Sequence, residues 1–166
     1  LRPRRWTSAR RRSMFVPVPG PRPVLPDHPG AMILITRRDT FAASHRLHNP
    51  ELSDAENARL YGKCNWANGH GHNYTLEITV EGEVDPETGY VMDLGELKRI
   101  AERELVQHLD HKNLNLDVPF MAGTIPTTEN LVLACWRVLA PKVAPSRLVR
   151  LKLWETENHY VEYDGR

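Results

Sequence analysis

The sequence has little cysteine, few aromatic residues and no long apolar run. Its two cysteines, Cys64 and Cys135, cannot form a disulfide framework, so a reducing, cytoplasmic setting is expected. No apolar segment approaches the roughly 20 residues that a membrane-spanning helix needs. The first 30 residues also lack the continuous apolar segment of a secretory signal. These absences argue against a membrane protein or a disulfide-rich secreted protein and leave one globular domain.

Most of the chain also lacks the clustered basic charge that nucleic-acid binding requires. Residues 1–30 hold seven arginines and one acid, and the remainder holds the other 15 of 22 basic and 20 of 21 acidic residues. The same first segment contains seven of the 13 prolines and shows no periodicity. We therefore expect a disordered or spurious tail at 1–31, with Met32 as the true start, and a domain at 32–166.

Alternating apolar residues predict two pairs of strands. The segment "MILITRRDTFAASHRL" predicts a strand that runs towards His45, and "NYTLEITVEGEV" predicts a second strand. "RLVRLKLWE" and "HYVEYDG" predict the last pair. Residues 49–62 are typical of a connecting segment with at most a short helix. The buried face of the second strand is predicted to carry Tyr74, Leu76, Ile78 and Val80.

Two helices are predicted between the strand pairs. Asp93 and Glu96 have capping-box spacing ahead of a helix over 94–108. The segment "PTTEN" supplies Thr127 or Thr128 as the cap of a second helix, which Pro141 ends. The order ββααββ predicts an α+β domain with an antiparallel sheet. The buried stripe of the second helix is predicted to be Leu131, Cys135 and Val138.

The segment "CNWANGHGHNY" contains the strongest metal-binding signal. His70 and His72, two apart in an extended segment, project to one side and suit zinc, but a bare H-x-H is weak evidence alone. A third ligand can come from His45 or His48 on a neighbouring strand. Cys64 is either a fourth ligand or a reactive thiol beside the metal, and the residues alone leave both interpretations open.

Two further groups are candidates for proton transfer and substrate binding. Asp110 and His111 fall in a predicted loop, where a carboxylate beside an imidazole raises its basicity. Glu155 shares a register with the apolar face of its strand, which alternation predicts to run from Val149 through Leu151, and burying an unpaired carboxylate is costly. Either Glu155 points into the interior, or the strand has ended and the carboxylate lies in solvent; register alone favours neither.

Six segments in order resemble the 6-pyruvoyl tetrahydropterin synthase family over residues 41–165. They are "FAASHRLH", "LYGKCNWANGHGHNY", "VDPETGYVMDL", "LDHKNLN", "PTTEN" and "WETENHYVEY". The resemblance implies the T-fold, in which ββααββ subunits join their sheets into a barrel, and assembly as a homohexamer of two stacked trimers. It also implies the substrate 7,8-dihydroneopterin triphosphate and the product 6-pyruvoyl tetrahydropterin.

The resemblance further implies a role for each candidate residue. His45, His70 and His72 would hold Zn²⁺, with His48 outside the shell. Cys64 would be the base that removes a substrate proton, and Asp110 with His111 would relay charge with that thiol. Glu155 would anchor the pterin ring, with Thr127, Thr128 and Glu129 also binding substrate. Three cations are suggested for the triphosphate without a motif to support them: Arg46, Lys63 and Lys112.

Two rival functions remain. One is 6-carboxy-5,6,7,8-tetrahydropterin synthase of queuosine biosynthesis, which shares the fold, the zinc site and the substrate. That branch commonly has three residues between the cysteine and the first histidine of H-G-H, whereas this chain has five. The other is a non-catalytic zinc- or pterin-binding T-fold protein, which would not need Cys64, Asp110, His111 and Glu155 together.

Overall fold

A five-stranded sheet with two helices packed on one face forms the domain. The computed structural model describes residues 30–166, so the predicted tail lies outside the described residues except for its last two positions. No helix within 30–166 combines the length and hydropathy needed to cross a membrane. The strands and helices in chain order are β1 Met32–His45, α1 Asp54–Tyr61, β2 His70–Glu83, α2 Leu94–Ala101, β3 Lys112–Asn113, α3 Thr128–Leu139, β4 Arg147–Thr156 and β5 His159–Tyr163.

The sheet has the strand order β3-β1-β2-β4-β5. The four long strands pair antiparallel, as predicted, but β3 pairs parallel with β1. The expectation of a wholly antiparallel sheet is therefore wrong at one edge. The cause is local: the chain leaving α2 runs beside β1, and the His111 N–H donates to the Ala42 carbonyl at 2.6 Å.

Residues 30–166 contain three helices, the two predicted between the strand pairs and the short helix α1. The latter lies in the segment 49–62, for which the sequence analysis allowed a short helix, and it begins with a capping box between Ser53 and Glu56. The predicted helix over 94–108 is present as α2, which continues through a π-helical segment, Glu102–Val106, and a last turn, Gln107–Leu109. Its capping box does not close, because the Asp93 side chain accepts from the Gly95 N–H while Glu96 pairs with Arg99.

The core lies between the sheet and the helices. The predicted face of β2, from Tyr74 to Val80, has no exposed side-chain surface. On α3, Leu131 and Cys135 are fully buried as predicted, and Val138 is half-buried against them. Burial raises the pKa of the Cys135 thiol to about 12, as is typical of a small core residue.

The predicted face of β4 is wrong at one position. The pairing of β4 with β2 shifts between Thr79 and Val80, so that Arg150 pairs with Thr79 but Leu148 pairs with Val80. Such a bulge inserts one residue and turns the strand. As a result Leu148 lies in the core, while Val149 is only partly buried.

Candidate metal centre and active site

Three histidines meet at one end of the sheet. His45 ends β1 and pairs with His70, the first residue of β2, while His72 lies two residues further along the same face. The Nε2 atoms of His45 and His70 are 3.2 Å apart. One ligand nitrogen from each of the three rings lies within 4.8 Å of the other two, so this group can hold a metal ion.

A close approach of the two chain segments makes this pairing possible. Gly69, immediately before β2, has a φ of +67°, a conformation that favours glycine. A Cβ at this position would lie 2.5 Å from the His45 carbonyl oxygen. The glycine therefore lets β2 begin directly beside the end of β1, where His70 and His45 face each other.

A backbone carbonyl on the far side of the ring fixes the orientation of His45. The residue is 1% exposed, and its Nδ1 donates to the Pro126 carbonyl at 2.7 Å. A hydrogen bond at one ring nitrogen sets the tautomer and leaves the other nitrogen as the ligand. The Nε2 of His45 therefore presents its lone pair to the other two histidines.

The electrostatics of the group suit a metal. Burial lowers the pKa of His45, with the Pro126 hydrogen bond opposing, and burial also lowers the pKa of His72 against the opposing charge of Glu155. Neutral imidazole is the form that binds metal. Within residues 30–166, the buried Nε2 of His72 has no hydrogen-bond partner. Three converging imidazole nitrogens, one of them without a partner, fit a zinc ion with one open position.

Glu155 points into this group. Its Oε1 lies 3.7 Å from His72 Nε2 and 3.8 Å from His45 Nε2, and it accepts a hydrogen bond from Thr128 Oγ1 at 2.8 Å. Of the two orientations left open by register, the structure has the inward one. The pairing of β4 with β5 shifts between Trp154 and Thr156, which places Glu155 at an irregular position of the strand.

A cleft of about 420 Å³ opens beside Glu155. All four predicted substrate-binding residues line it, together with four that the sequence analysis did not select. His159 and Tyr160 follow Glu155 closely in "WETENHYVEY", and their place in that segment could have indicated that they line the same cleft. The lining residues are Thr127, Thr128, Glu129 and Glu155, with Leu47, His159, Tyr160 and Val161.

Cys64 lies apart from the three histidines. It is half-buried in a single 3-10 turn, Gly62–Asn65. Its carbonyl accepts a hydrogen bond from the Leu47 N–H at 2.8 Å, which connects it to the chain just beyond His45. In the described part of the chain, the metal-holding group comprises the histidines without this thiol. That arrangement favours a reactive thiol over a fourth ligand.

Asp110 and His111 form a pair held on β1. Asp110 Oδ2 lies 2.8 Å from His111 Nδ1, and Asp110 Oδ1 accepts from the Ala42 N–H at 2.8 Å. The Ala42 N–H and then the His111 side chain lower the pKa of Asp110. His111 adopts a left-handed φ of +59° and is 83% exposed, so the Nε2 of its ring remains available to another group.

The structure brings some predicted residues together and leaves others apart. His111 and Lys112 line a second cleft of about 490 Å³, and His72 of the metal group lines it as well. Across residues 30–166, no hydrogen bond or ion pair joins Asp110 or His111 to Cys64 or to the three histidines. Arg46 Nε donates to the Asn65 carbonyl, and Lys63 is exposed.

Comparison with known proteins identifies the family to which the chain belongs. A family model described as "6-pyruvoyl tetrahydropterin synthase" matches residues 34–166. The chain belongs to that family. A human family member, "6-pyruvoyl tetrahydrobiopterin synthase", is 49% identical over 131 residues, which cover 79% of this chain and 90% of the human protein.

Two further relatives are similar to this chain at lower sequence identity. The solved structure of 6-pyruvoyl tetrahydropterin synthase from Caenorhabditis elegans superposes with a TM-score of 0.75 at 39% identity, covering 82% of this chain and 98% of that one. A "6-carboxy-5,6,7,8-tetrahydropterin synthase" from Rickettsia typhi is 30% identical over 149 residues, covering 79% of this chain and 99% of that protein. The pyruvoyl-forming relatives are thus considerably more similar than the carboxy-forming one.

Proposed function

We propose that this synthase-family member is a zinc-dependent lyase that converts 7,8-dihydroneopterin triphosphate to 6-pyruvoyl tetrahydropterin and triphosphate. The observation that carries the proposal is the group of three histidines beside Glu155, whose carboxylate also lines a cleft of about 420 Å³. The 49% identity to the human 6-pyruvoyl tetrahydrobiopterin synthase supports the same activity.

His45, His70 and His72 would hold the metal. A zinc ion bound there would act as a Lewis acid towards the hydroxyl oxygens of the substrate side chain and so acidify the adjacent C–H protons. The Pro126 carbonyl keeps the His45 ring in the orientation that this requires. Binding of the substrate side chain beside these residues would also fix it relative to the protein's own acid and base groups.

Glu155 would anchor the pterin ring. Its carboxylate is an acceptor for the N–H groups of the ring, and the Thr128 hydroxyl holds one of its oxygens in place. Thr127 and Glu129 line the same cleft and add further polar groups for the ring edge. The ring would thus be held at a fixed distance from the metal, with its side chain directed to the three histidines.

Cys64 would remove the proton from the substrate side chain. The C1′ proton passes to the thiolate sulfur, and the electrons it leaves behind shift to ring N5, which takes up a proton, so that C1′ becomes a ketone. A second proton then leaves C2′, its electrons form the C2′–C3′ double bond, and triphosphate departs from C3′ with the electrons of its C–O bond; the enol that remains tautomerises to the second ketone. The remaining oxidation and reduction occur within one molecule, so no external reductant is needed. Asp110 and His111 would return and relay the proton, with His111 acting as the exposed imidazole of the pair.

Assembly with other copies of the chain would complete this site. His111 lines a different cleft from Glu155, and among residues 30–166 the stretch 32–41 of β1 has a strand neighbour on one side only. Exposed strand edges of this kind favour pairing with another chain. We therefore propose a homohexamer of two trimers, in which joined sheets form the T-fold barrel and bring an Asp110–His111 pair to the Cys64 of a neighbour.

The alternative product is 6-carboxy-5,6,7,8-tetrahydropterin, formed with loss of acetaldehyde. It is the weaker candidate, because the carboxy-forming relative is only 30% identical and the spacing between Cys64 and His70 differs from that branch. Small differences in pocket shape decide such outcomes, so the product itself must be identified.

The deciding experiment is mass spectrometry of the products after zinc-loaded protein is incubated with 7,8-dihydroneopterin triphosphate. We expect 6-pyruvoyl tetrahydropterin and triphosphate, and we expect a chelator to abolish both and added zinc to restore them. Carboxytetrahydropterin with acetaldehyde would assign the chain to the queuosine branch. Absence of turnover by protein that retains zinc would instead support a binding protein.

A further inference from the structure

His48 belongs to the "ASHRLH" segment but does not join the metal group. It follows the ligand His45 by three residues, beyond the end of β1, and is half-buried. Its Nδ1 lies 2.9 Å from Oδ1 of Asn65, the residue next to Cys64. An amide oxygen only accepts hydrogen bonds, so Nδ1 carries the proton and is the donor in this contact.

The turn that carries Cys64 has few internal hydrogen bonds to fix its position. It is a single 3-10 turn of four residues with no side-chain hydrogen bond at its N-terminal cap. Such short turns have poor hydrogen-bond geometry and depend on their surroundings. Gly62 at its start has a φ of +53°, a conformation in which the absence of a side chain leaves the backbone freer. Contacts from outside the turn must therefore set the location of the thiol.

The backbone of α1 supplies one such contact, because the Gly62 N–H donates to the Ala58 carbonyl, and three further hydrogen bonds come from residues 46–48. The Leu47 N–H donates to the Cys64 carbonyl at 2.8 Å, and Arg46 Nε donates to the Asn65 carbonyl at 2.8 Å. The third is the bond from His48 to the Asn65 side chain. The stretch that leaves the metal ligand His45 thus holds both Cys64 and its neighbour.

The contact from His48 differs from the other two because it joins two side chains. The Leu47 contact is made by backbone alone, and the Arg46 contact ends on a backbone carbonyl. The contact from His48 holds the amide of Asn65 and so limits rotation of the turn about its backbone anchors. A displacement of about 1 Å at a reacting group can cost on the order of 100-fold in rate, so a restraint one residue from the thiol is well placed to affect turnover.

We infer that His48 is a positioning residue for Cys64, acting through Asn65. The inference rests on the proposed function in one respect, namely that Cys64 is the base. Loss of the bond would let the thiol move away from the reacting carbon without changing the metal ligands or the Glu155 cleft. The expected signature is a lower kcat with an unchanged KM and an unchanged zinc content.

The test compares two variants of His48 with a matched control. His48→Ala removes the donor, whereas His48→Asn places an amide nitrogen close to the position of Nδ1 and can restore the bond. His108→Ala removes an exposed histidine on the last turn after α2, whose side chain contacts Gln107 and, among residues 30–166, makes no hydrogen bond to Cys64, Asn65 or the three histidines. For each protein we would measure kcat, KM, bound zinc, melting temperature and the rate at which iodoacetamide alkylates Cys64, with peptide mapping to exclude the buried Cys135.

We expect His48→Ala to lower kcat about tenfold, within the range that misplacement of a reacting group produces, and to change the alkylation rate of Cys64. His48→Asn should recover most of both values, and His108→Ala should match the parent. Unchanged kcat and alkylation in His48→Ala would overturn the inference. So would loss of zinc, or a fall in kcat and melting temperature that His48→Asn does not recover, because either result indicates a general structural role.

The alkylation rate separates this inference from the proposed function. It reports the surroundings of the thiol and requires no turnover. If the parent protein forms no product, the proposed function fails, yet a change in alkylation that His48→Asn reverses would still show that His48 positions Cys64.

Discussion

Strand β2 carries two different chemistries on one face. From Tyr74 to Val80 this face is fully buried in the apolar core. At the start of the strand the same face carries His70 and His72, whose nitrogens meet His45. The strand geometry is the same in both halves, and what differs is the neighbourhood. Apolar side chains pack over one half. At the other half, the Pro126 carbonyl accepts a hydrogen bond from His45, and the Thr128 hydroxyl donates one to Glu155 beside the histidines.

The difference shows how the domain positions its metal group. The apolar half fixes the register of β1 against β2, and that register determines that His45 faces His70. The polar half then contains one buried nitrogen, the Nε2 of His72, that has no hydrogen-bond partner among residues 30–166. Unsatisfied buried groups are costly, so we expect the metal half to depend on its ion and the apolar half to depend on packing.

The largest effect should come from His70→Ala. Loss of one of three ligands should remove zinc and lower turnover by more than the roughly 100-fold that loss of an outer hydrogen bond costs. Metal analysis together with turnover measures this, and His108→Ala serves as the control. Full zinc content in the variant would show that His70 is not a ligand and would break the comparison between the two halves of β2.

Cys64→Ala should lower turnover by about 100- to 10,000-fold, the range for loss of a general acid or base, while zinc content stays at the parent level. The reason is that the thiol lies outside the histidine group. Metal analysis and product formation on the same sample test both statements. Zinc loss in this variant would make Cys64 a ligand after all.

Leu76→Ala tests the apolar half of the strand. Leu76 is fully buried, so truncation should lower the free energy of unfolding by about 2 to 5 kcal/mol through lost burial and an unfilled cavity. Urea denaturation of the zinc-loaded protein measures the change. At a temperature where the variant is folded, we expect parent-level zinc binding. A variant that keeps full stability but loses zinc would show that the two halves are not separable.

The smallest effect is expected from Thr128→Val. The substitution keeps the shape of a side chain that is 8% exposed but removes the hydrogen bond to Glu155, a loss of about 1 kcal/mol that corresponds to a KM increase of roughly fivefold. Steady-state kinetics with metal analysis tests this. An unchanged KM would show that Glu155 does not need Thr128 to hold the substrate, and zinc loss would show that the contact supports the metal group instead.

The sequence by itself determined the elements whose signals are local. The alternation along β2, the cap of α3 at Thr127 and the buried stripe at Leu131 and Cys135 each arise within a few neighbouring residues. Such patterns require only strand or helix periodicity and a side chain near a helix end. The H-x-H pair also followed from the alternation of a strand, which places His70 and His72 on one side.

Only the tertiary structure decided features that depend on distant pairing. His45 and His70 are 25 positions apart, and their contact depends on the register of two strands and on Gly69. The inward direction of Glu155, the bulge that buries Leu148 and the attachment of Asp110 to β1 depend on neighbours far along the chain. Local residue patterns contain no information about these partners, because hydrogen-bond register is set by the packing of the whole sheet.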